Sequence, residues 1–136
     1  MTEVSPRLDP MLTAPLKIDY QRSSQTLHLL WPDRVDHRLS AEFLRVHSPS
    51  AEVRGHGVGR EVLQVGKKDV AIASIEPTGR YAIKITFDDG HDSGLYDWTY
   101  LRHLGDQQTL LWQNYLDRLS DQKASREALF INFKQL

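Results

Sequence analysis

The run Ser48-Pro49-Ser50-Ala51-Glu52-Val53 has the spacing of a short metal-binding loop in which the ligand positions hold residues that cannot coordinate. A second group of donors follows at Asp88-Asp89-Gly90-His91-Asp92, where one tight turn gathers three carboxylates around an imidazole. Two chemistries are open to that turn. The aspartates can be turn formers whose side chains hold local amides, or together with His91 they can make a hard-cation or mixed nitrogen/oxygen site.

The six histidines are the remaining candidates for metal or acid–base work. His28 alternates with Leu27 and Leu29 and therefore points to solvent. His37 and His103 sit among charged neighbours in an edge strand and a helix, with no other ligand-like residue on their local faces. His47, His56 and His91 fall at loops, where site residues concentrate.

Several enzyme signatures can be tested directly. A non-haem iron oxygenase is usually introduced by a His-x-Asp/Glu step, but the residues two positions beyond the histidines are Leu30, Leu39, Pro49, Val58, Ser93 and Gly105. There is no His-Glu-x-x-His helix and no Gly-x-Ser-x-Gly elbow. Gly55-His56-Gly57-Val58-Gly59 looks like a phosphate loop, but it is expected to run into a strand at Val62 instead of opening a helix. The alternating strand Tyr81 to Phe87 offers only Lys84 as a cation on its second face, so its aromatics are read as core and not as an RNA platform.

Composition narrows the choice further. The chain has 136 residues, 17 basic and 18 acidic side chains and a net charge of −1. No global field draws it to nucleic acid or to anionic lipid. The absence of cysteine removes disulfides, thiolate nucleophiles and cysteine-held metals, and suits the cytoplasm. Residues 1–14 read as a flexible leader without an apolar run long enough for a membrane span.

The elements that must position these residues follow from periodicity. Leu16 and Ile18, then Leu27, Leu29 and Trp31, alternate as a hairpin broken at Ser23-Ser24, and Val35 to Leu39 pairs again after Pro32-Asp33. Ser40 is an N-cap for a short helix with Phe43 and Leu44 that ends near His47, because Pro49 disfavours helix before it. Residues 48 to 60 read as an exposed loop. Strands are expected at Glu61 to Val65 and Val70 to Ile75, a turn at Glu76-Pro77-Thr78-Gly79, and a strand with Tyr81, Ile83, Ile85 and Phe87 on one face. Asp89-Gly90 signals a two-residue hairpin returning through Leu95 and Tyr96.

Asp97 caps a helix with Leu101 and Leu104 inside, Gly105 ends it, and Asp106 caps another carrying Leu111, Trp112, Tyr115, Leu116 and Leu119. The class is α+β: a mostly antiparallel sheet, a short helix after the first strands and two C-terminal helices. Residues 15–120 form one domain, and 121–136 are a tail whose apolar Leu129-Phe130-Ile131-Asn132-Phe133 is suited to docking on the domain or on a partner.

Leu44-Arg45 before the serine loop, Glu76-Pro77-Thr78-Gly79-Arg80-Tyr81-Ala82, Phe87-Asp88-Asp89-Gly90-His91-Asp92-Ser93-Gly94-Leu95-Tyr96 and Trp98-Thr99-Tyr100-Leu101, in that order, resemble the gamma-butyrobetaine hydroxylase-like N-terminal domain family. The resemblance covers roughly Pro15 to Gly105, and the helix beyond is similar to the extension of small stand-alone bacterial members. In the carnitine-pathway hydroxylases this domain precedes the oxygenase domain and holds a structural zinc through three cysteines and a histidine. By position the cysteines fall on Ser48, Ser50 and Val53, and the histidine on His91. Zinc takes thiolate, imidazole or carboxylate at about 2.0–2.3 Å, so the resemblance implies a zinc loop that has lost its zinc.

Two ways of holding the loop remain open. Ser48, Ser50 and His91 can replace coordination by hydrogen bonds, or a divalent metal, zinc or iron, can be kept by His91, His56 and His47 with Glu52, Asp89 or Asp92. The resemblance implies a non-enzymatic binding or scaffolding module with a protein partner. The module's occurrence beside P-loop ATPases of iron–sulfur cluster assembly points towards iron or iron–sulfur protein handling. The alternatives are a metal-binding protein or metal-dependent enzyme built on the histidine/carboxylate set, and a pure interaction module using the C-terminal segment.

Overall fold

The structure, a computed structural model, describes residues 14–55 and 61–128. The leader up to residue 13, His56 with the rest of the glycine-rich loop through residue 60, and the apolar stretch Leu129 to Phe133 lie outside the described residues. The chain folds as α+β with two antiparallel three-stranded sheets. The first sheet is a meander of β1 (Lys17–Gln21), β2 (Thr26–Leu30) and β3 (Asp36–Ser40). Alternation turns Leu27 and Leu29 of β2 and Leu39 of β3 completely inward, each side chain contributing about 1.5–3 kcal/mol by leaving water. Leu16 and Ile18 stay exposed.

Ser40 ends β3 and begins α1 (Ala41–Val46), its hydroxyl accepting the Phe43 amide at 3.0 Å. The helix stops at His47, as the proline two residues on requires. All six residues of α1 are buried, including Glu42 and Arg45. Arg126 answers Glu42 with two bonds of 2.8 and 2.7 Å.

The stretch after α1 is not an exposed loop throughout. Ala51–Arg54 forms a short helix, α2, and Ser48, Ser50 and Val53 are buried. The residues between Glu61 and Val65 form no strand; their polar groups serve other segments, as Arg118 donates to the Glu61 carbonyl and Tyr115 to that of Gln64.

The second sheet contains β4 (Ile72–Thr78), β5 (Ala82–Phe87) and β6 (Leu95–Asp97). Glu76, Pro77 and Thr78 continue β4, and the turn falls at Gly79-Arg80. Proline is tolerated because β4 is an edge strand and its missing N–H faces no partner. Tyr81 precedes β5 and is exposed, while Ile83, Ile85 and Phe87 fill the core. Asp89-Gly90 does not close a two-residue hairpin. Lys84 pairs with Leu95, so residues 88–94 make a longer loop that crosses to the 48–50 segment before β6 begins.

Asp97 caps α3 (Trp98–Asp106), accepting the Tyr100 amide at 2.7 Å. Gly105 lies inside α3, and Asp106 is its last residue rather than a cap for the next helix. The glycine serves packing: a Cβ there would come within 2.0 Å of His37 Nδ1. Helix α4 (Gln108–Asp121) buries Tyr115 and Leu119. Beyond it the chain turns back, with the Gly66 and Lys68 amides bonding Ser125 and Arg126 carbonyls at 3.0 and 2.9 Å. One core joins both sheets, α1 and α3, with Trp31, Phe43, Phe87 and Tyr96 among its fully buried aromatics.

Candidate functional site

Two segments far apart in sequence meet beside the end of α1. The Ser48-Pro49-Ser50 bend leads from α1 into α2, and the 88–94 loop brings His91 against it. His91 Nε2 lies 2.8 Å from Ser48 Oγ and 3.3 Å from Ser50 Oγ. Its Nδ1 lies 3.3 Å from Glu52 Oε1, which also accepts from Ser93 Oγ at 3.1 Å. With a carboxylate facing Nδ1, the ring proton resides there and Nε2 accepts from the serine hydroxyl. Burial, reinforced by the Arg45 charge, holds the His91 pKa below its ordinary value, so the neutral ring is favoured.

Asp89, two residues before His91, anchors the same loop. Its Oδ2 accepts from Arg45 Nε at 2.9 Å and Lys67 Nζ at 2.6 Å, and its Oδ1 accepts the His91 amide at 3.1 Å. Burial works against the charged carboxylate, but Lys67, the His91 amide and Arg45 together hold the pKa down at about 2. Arg45 spends a further donor on Gln64 Oε1 at 3.0 Å. A buried guanidinium thus ties α1 to both the 61–67 segment and the histidine loop.

Ser48, His91 and Glu52 have the connectivity of a nucleophile, a base and a group that orients the base. The serine is closely packed. Ser48 is only 2% exposed, and a Cβ on Gly94 would stand 2.5 Å from its Oγ and 3.2 Å from Pro49 Cδ. On that side the Gly94 backbone closes the approach to Oγ. Gly94 is therefore required here for close approach of two chain segments.

The other candidates are placed differently. His47 packs on the Phe43 ring and against Tyr115, with Nδ1 donating to the Phe43 carbonyl at 2.9 Å. Burial holds its pKa below the ordinary value. Asp92 is exposed, Val53 is buried with its amide on the Ser50 carbonyl at 3.1 Å, and His56 is outside the described residues. Among the described residues no group of three or more His, Cys, Asp or Glu is arranged to hold a metal ion.

Arg45 and Lys67 are the residues that sequence reasoning passed over. The signal for Arg45 was present: a guanidinium inside the apolar run Phe43-Leu44-Arg45-Val46 must find a carboxylate if the run is buried. Tyr96, fully buried with its hydroxyl donating to the Leu44 carbonyl, likewise secures the strand that follows the histidine loop.

A family model described as gamma-butyrobetaine hydroxylase-like, N-terminal, matches residues 18–102. Two proteins solved by solution NMR are similar over nearly the whole chain. One is 46% identical, with a TM-score of 0.76, covering 88% of this chain and 94% of its own. The other is 45% identical, with a TM-score of 0.75 and 96% of both chains covered. A crystal structure of a protein of unknown function from Acidithiobacillus ferrooxidans is 34% identical with a TM-score of 0.59, over 72% of this chain and 98% of its own. Among curated proteins none matches.

Proposed function

Because the chain belongs to the gamma-butyrobetaine hydroxylase-like N-terminal family, we propose that it is a non-enzymatic binding module that accompanies iron or iron–sulfur protein handling. In this reading the positions of the family's zinc loop are closed by hydrogen bonds. The observation that carries the reading is the closure of His91 onto Ser48 and Ser50. A buried imidazole with partners at both nitrogens fixes two loops in place, and its ring nitrogens are committed to Ser48, Ser50 and Glu52. A site for acid–base or nucleophilic work keeps at least one reactive group within reach of a reacting atom. Here the chemistry-bearing side chains are engaged with one another, which supports a structural role for them.

The test has two parts. Protein purified without a histidine tag is analysed for zinc and iron and melted with and without chelator, and the same preparation is titrated against a purified P-loop ATPase of iron–sulfur cluster assembly. The expected results are sub-stoichiometric metal, an unchanged melting temperature and a complex with the ATPase. Stoichiometric metal whose removal lowers the melting temperature would overturn the hydrogen-bonded closure; absence of a complex would overturn the proposed company.

A further inference from the structure

Beside Ser48, the end of α1, α2, the 61–64 segment, α3 and α4 line an open cavity of about 300 Å³. We propose that this cavity binds a small organic monoanion with an apolar body, such as a short branched or aromatic carboxylate. Its walls are apolar: Val46, Val53, Leu111 and the rings of Tyr100 and Tyr115 line it. Both tyrosine hydroxyls are committed elsewhere, Tyr100 to the His47 carbonyl at 2.6 Å and Tyr115 to the Gln64 carbonyl at 2.7 Å. They contribute ring surface held rigidly in place. An apolar cavity of roughly 150 Å³ already admits benzene, so the volume suffices for a ring or branched chain together with a carboxylate. Ligand sites begin at about this size, with mostly apolar walls and a few polar groups that fix orientation.

The polar groups are of one dominant sign. Arg54 and Arg118 line the cavity, from α2 and α4 respectively. The Arg54 guanidinium stands 5.3 Å from the Tyr100 ring centroid, a stacking that positions it over the aromatic wall. Arg118 donates one Nη2 bond to the Glu61 carbonyl at 2.8 Å, and a guanidinium has five N–H donors. Glu61 is the acidic residue among the described residues lining the cavity. Among the described lining residues, two guanidiniums stand with one carboxylate, an excess of one positive charge. His47 adds no charge as long as its ring is neutral, and Asn114 supplies an amide. Arginine matches a carboxylate bidentately, which selects a planar anion over a spherical one.

Hexanoate, benzoate, benzamide and inorganic phosphate are titrated into the full chain and followed by amide and methyl NMR shifts. Saturable shifts are expected for hexanoate and benzoate at Val46, Val53 and Leu111, with phosphate and the uncharged benzamide at least about tenfold weaker, because the charge-assisted bonds are lost or poorly matched. Arg54→Gln and Arg118→Gln should each weaken benzoate about fivefold or more while the spectrum stays that of the folded protein. Leu111→Trp, which fills the cavity from the α4 side, should abolish binding with both arginines intact. Equal binding of benzamide and benzoate, shifts away from the cavity, or no saturable binding of either carboxylate would overturn the proposal.

Discussion

Ser48 Oγ and His91 Nε2 are 2.8 Å apart although 43 positions separate them in the chain. A second contact runs alongside it: Arg45, three residues before the serine, holds Asp89, two residues before the histidine. The charged pair and the hydroxyl–imidazole bond together fasten the same two segments.

Restoring thiolates should therefore restore a metal site. The triple variant Ser48→Cys, Ser50→Cys, Val53→Cys is expected to bind zinc stoichiometrically, with His91 as fourth donor. Adding His91→Ala should weaken zinc by about tenfold or more. Competition with a chromophoric chelator measures both; equal affinities would show that His91 takes no part.

Stability should fall on acidification below the ordinary imidazole range. His91 and His47 have pKa values lowered, in both cases by burial first. Between those lowered values and about pH 6.5 the unfolded chain binds more protons than the folded one, so stability rises with pH across the window. It is fully present above the window and is lost as pH falls through the folded values. His91→Gln should reduce the drop in melting temperature between about pH 7.5 and about pH 5, measured by calorimetry; an unchanged drop would remove His91 from the account.

The Asp89 anchor should matter more than its partial exposure suggests. Asp89→Asn leaves the Arg45 guanidinium, 8% exposed, without its anion, and is expected to cost about 2 kcal/mol in urea denaturation at unchanged slope. Lys67→Met removes the more accessible partner and should cost about 0–1 kcal/mol. Similar costs for both would mean that burial of Arg45 is not what makes the pair important.

Gly105→Ala should change sign with its neighbour. In the native background the new methyl group meets His37, whose ring accepts from Trp31 Nε1 at 2.9 Å and faces Asp106 at 3.1 Å. Overpacking of this kind costs about 1–3 kcal/mol, more than alanine's helical preference of about 1 kcal/mol returns. In a His37→Ala background the same substitution should stabilise α3. Destabilisation in both backgrounds would show that the glycine is needed for something other than the His37 ring.

The parts of the fold written in local patterns were legible. Alternation around Leu27 and Leu29 and along Ile83, Ile85 and Phe87 found strands, and Ser40 and Asp97 announced their helices by side-chain caps. The misreadings share one cause, which is tertiary contact overriding a local rule. Pro77 is a turn former by itself and an edge-strand residue once its ring nitrogen, which has no N–H to donate, lies in an edge strand. Asp89-Gly90 is a hairpin signal until Asp89 is drawn to Arg45 and Lys67, and Gly105 a helix stop until His37 needs its space. The meeting of Ser48 and Ser50 with His91 came from family resemblance, since nothing in spacing alone relates them. The cavity beside Ser48 has no sequence signature, being formed by five segments that contribute one to four residues each.

Glu42 and Arg126 are joined across 84 positions, and this gives the molecule a direction in time. As the chain emerges from a ribosome, both sheets and the cap of α1 can assemble while Glu42, 6% exposed, still has no guanidinium. A carboxylate buried without its partner costs several kcal/mol. Helix α1 therefore cannot seat fully until residue 126 has been synthesised, and until then nascent chains should present α1 and its apolar neighbours to chaperones.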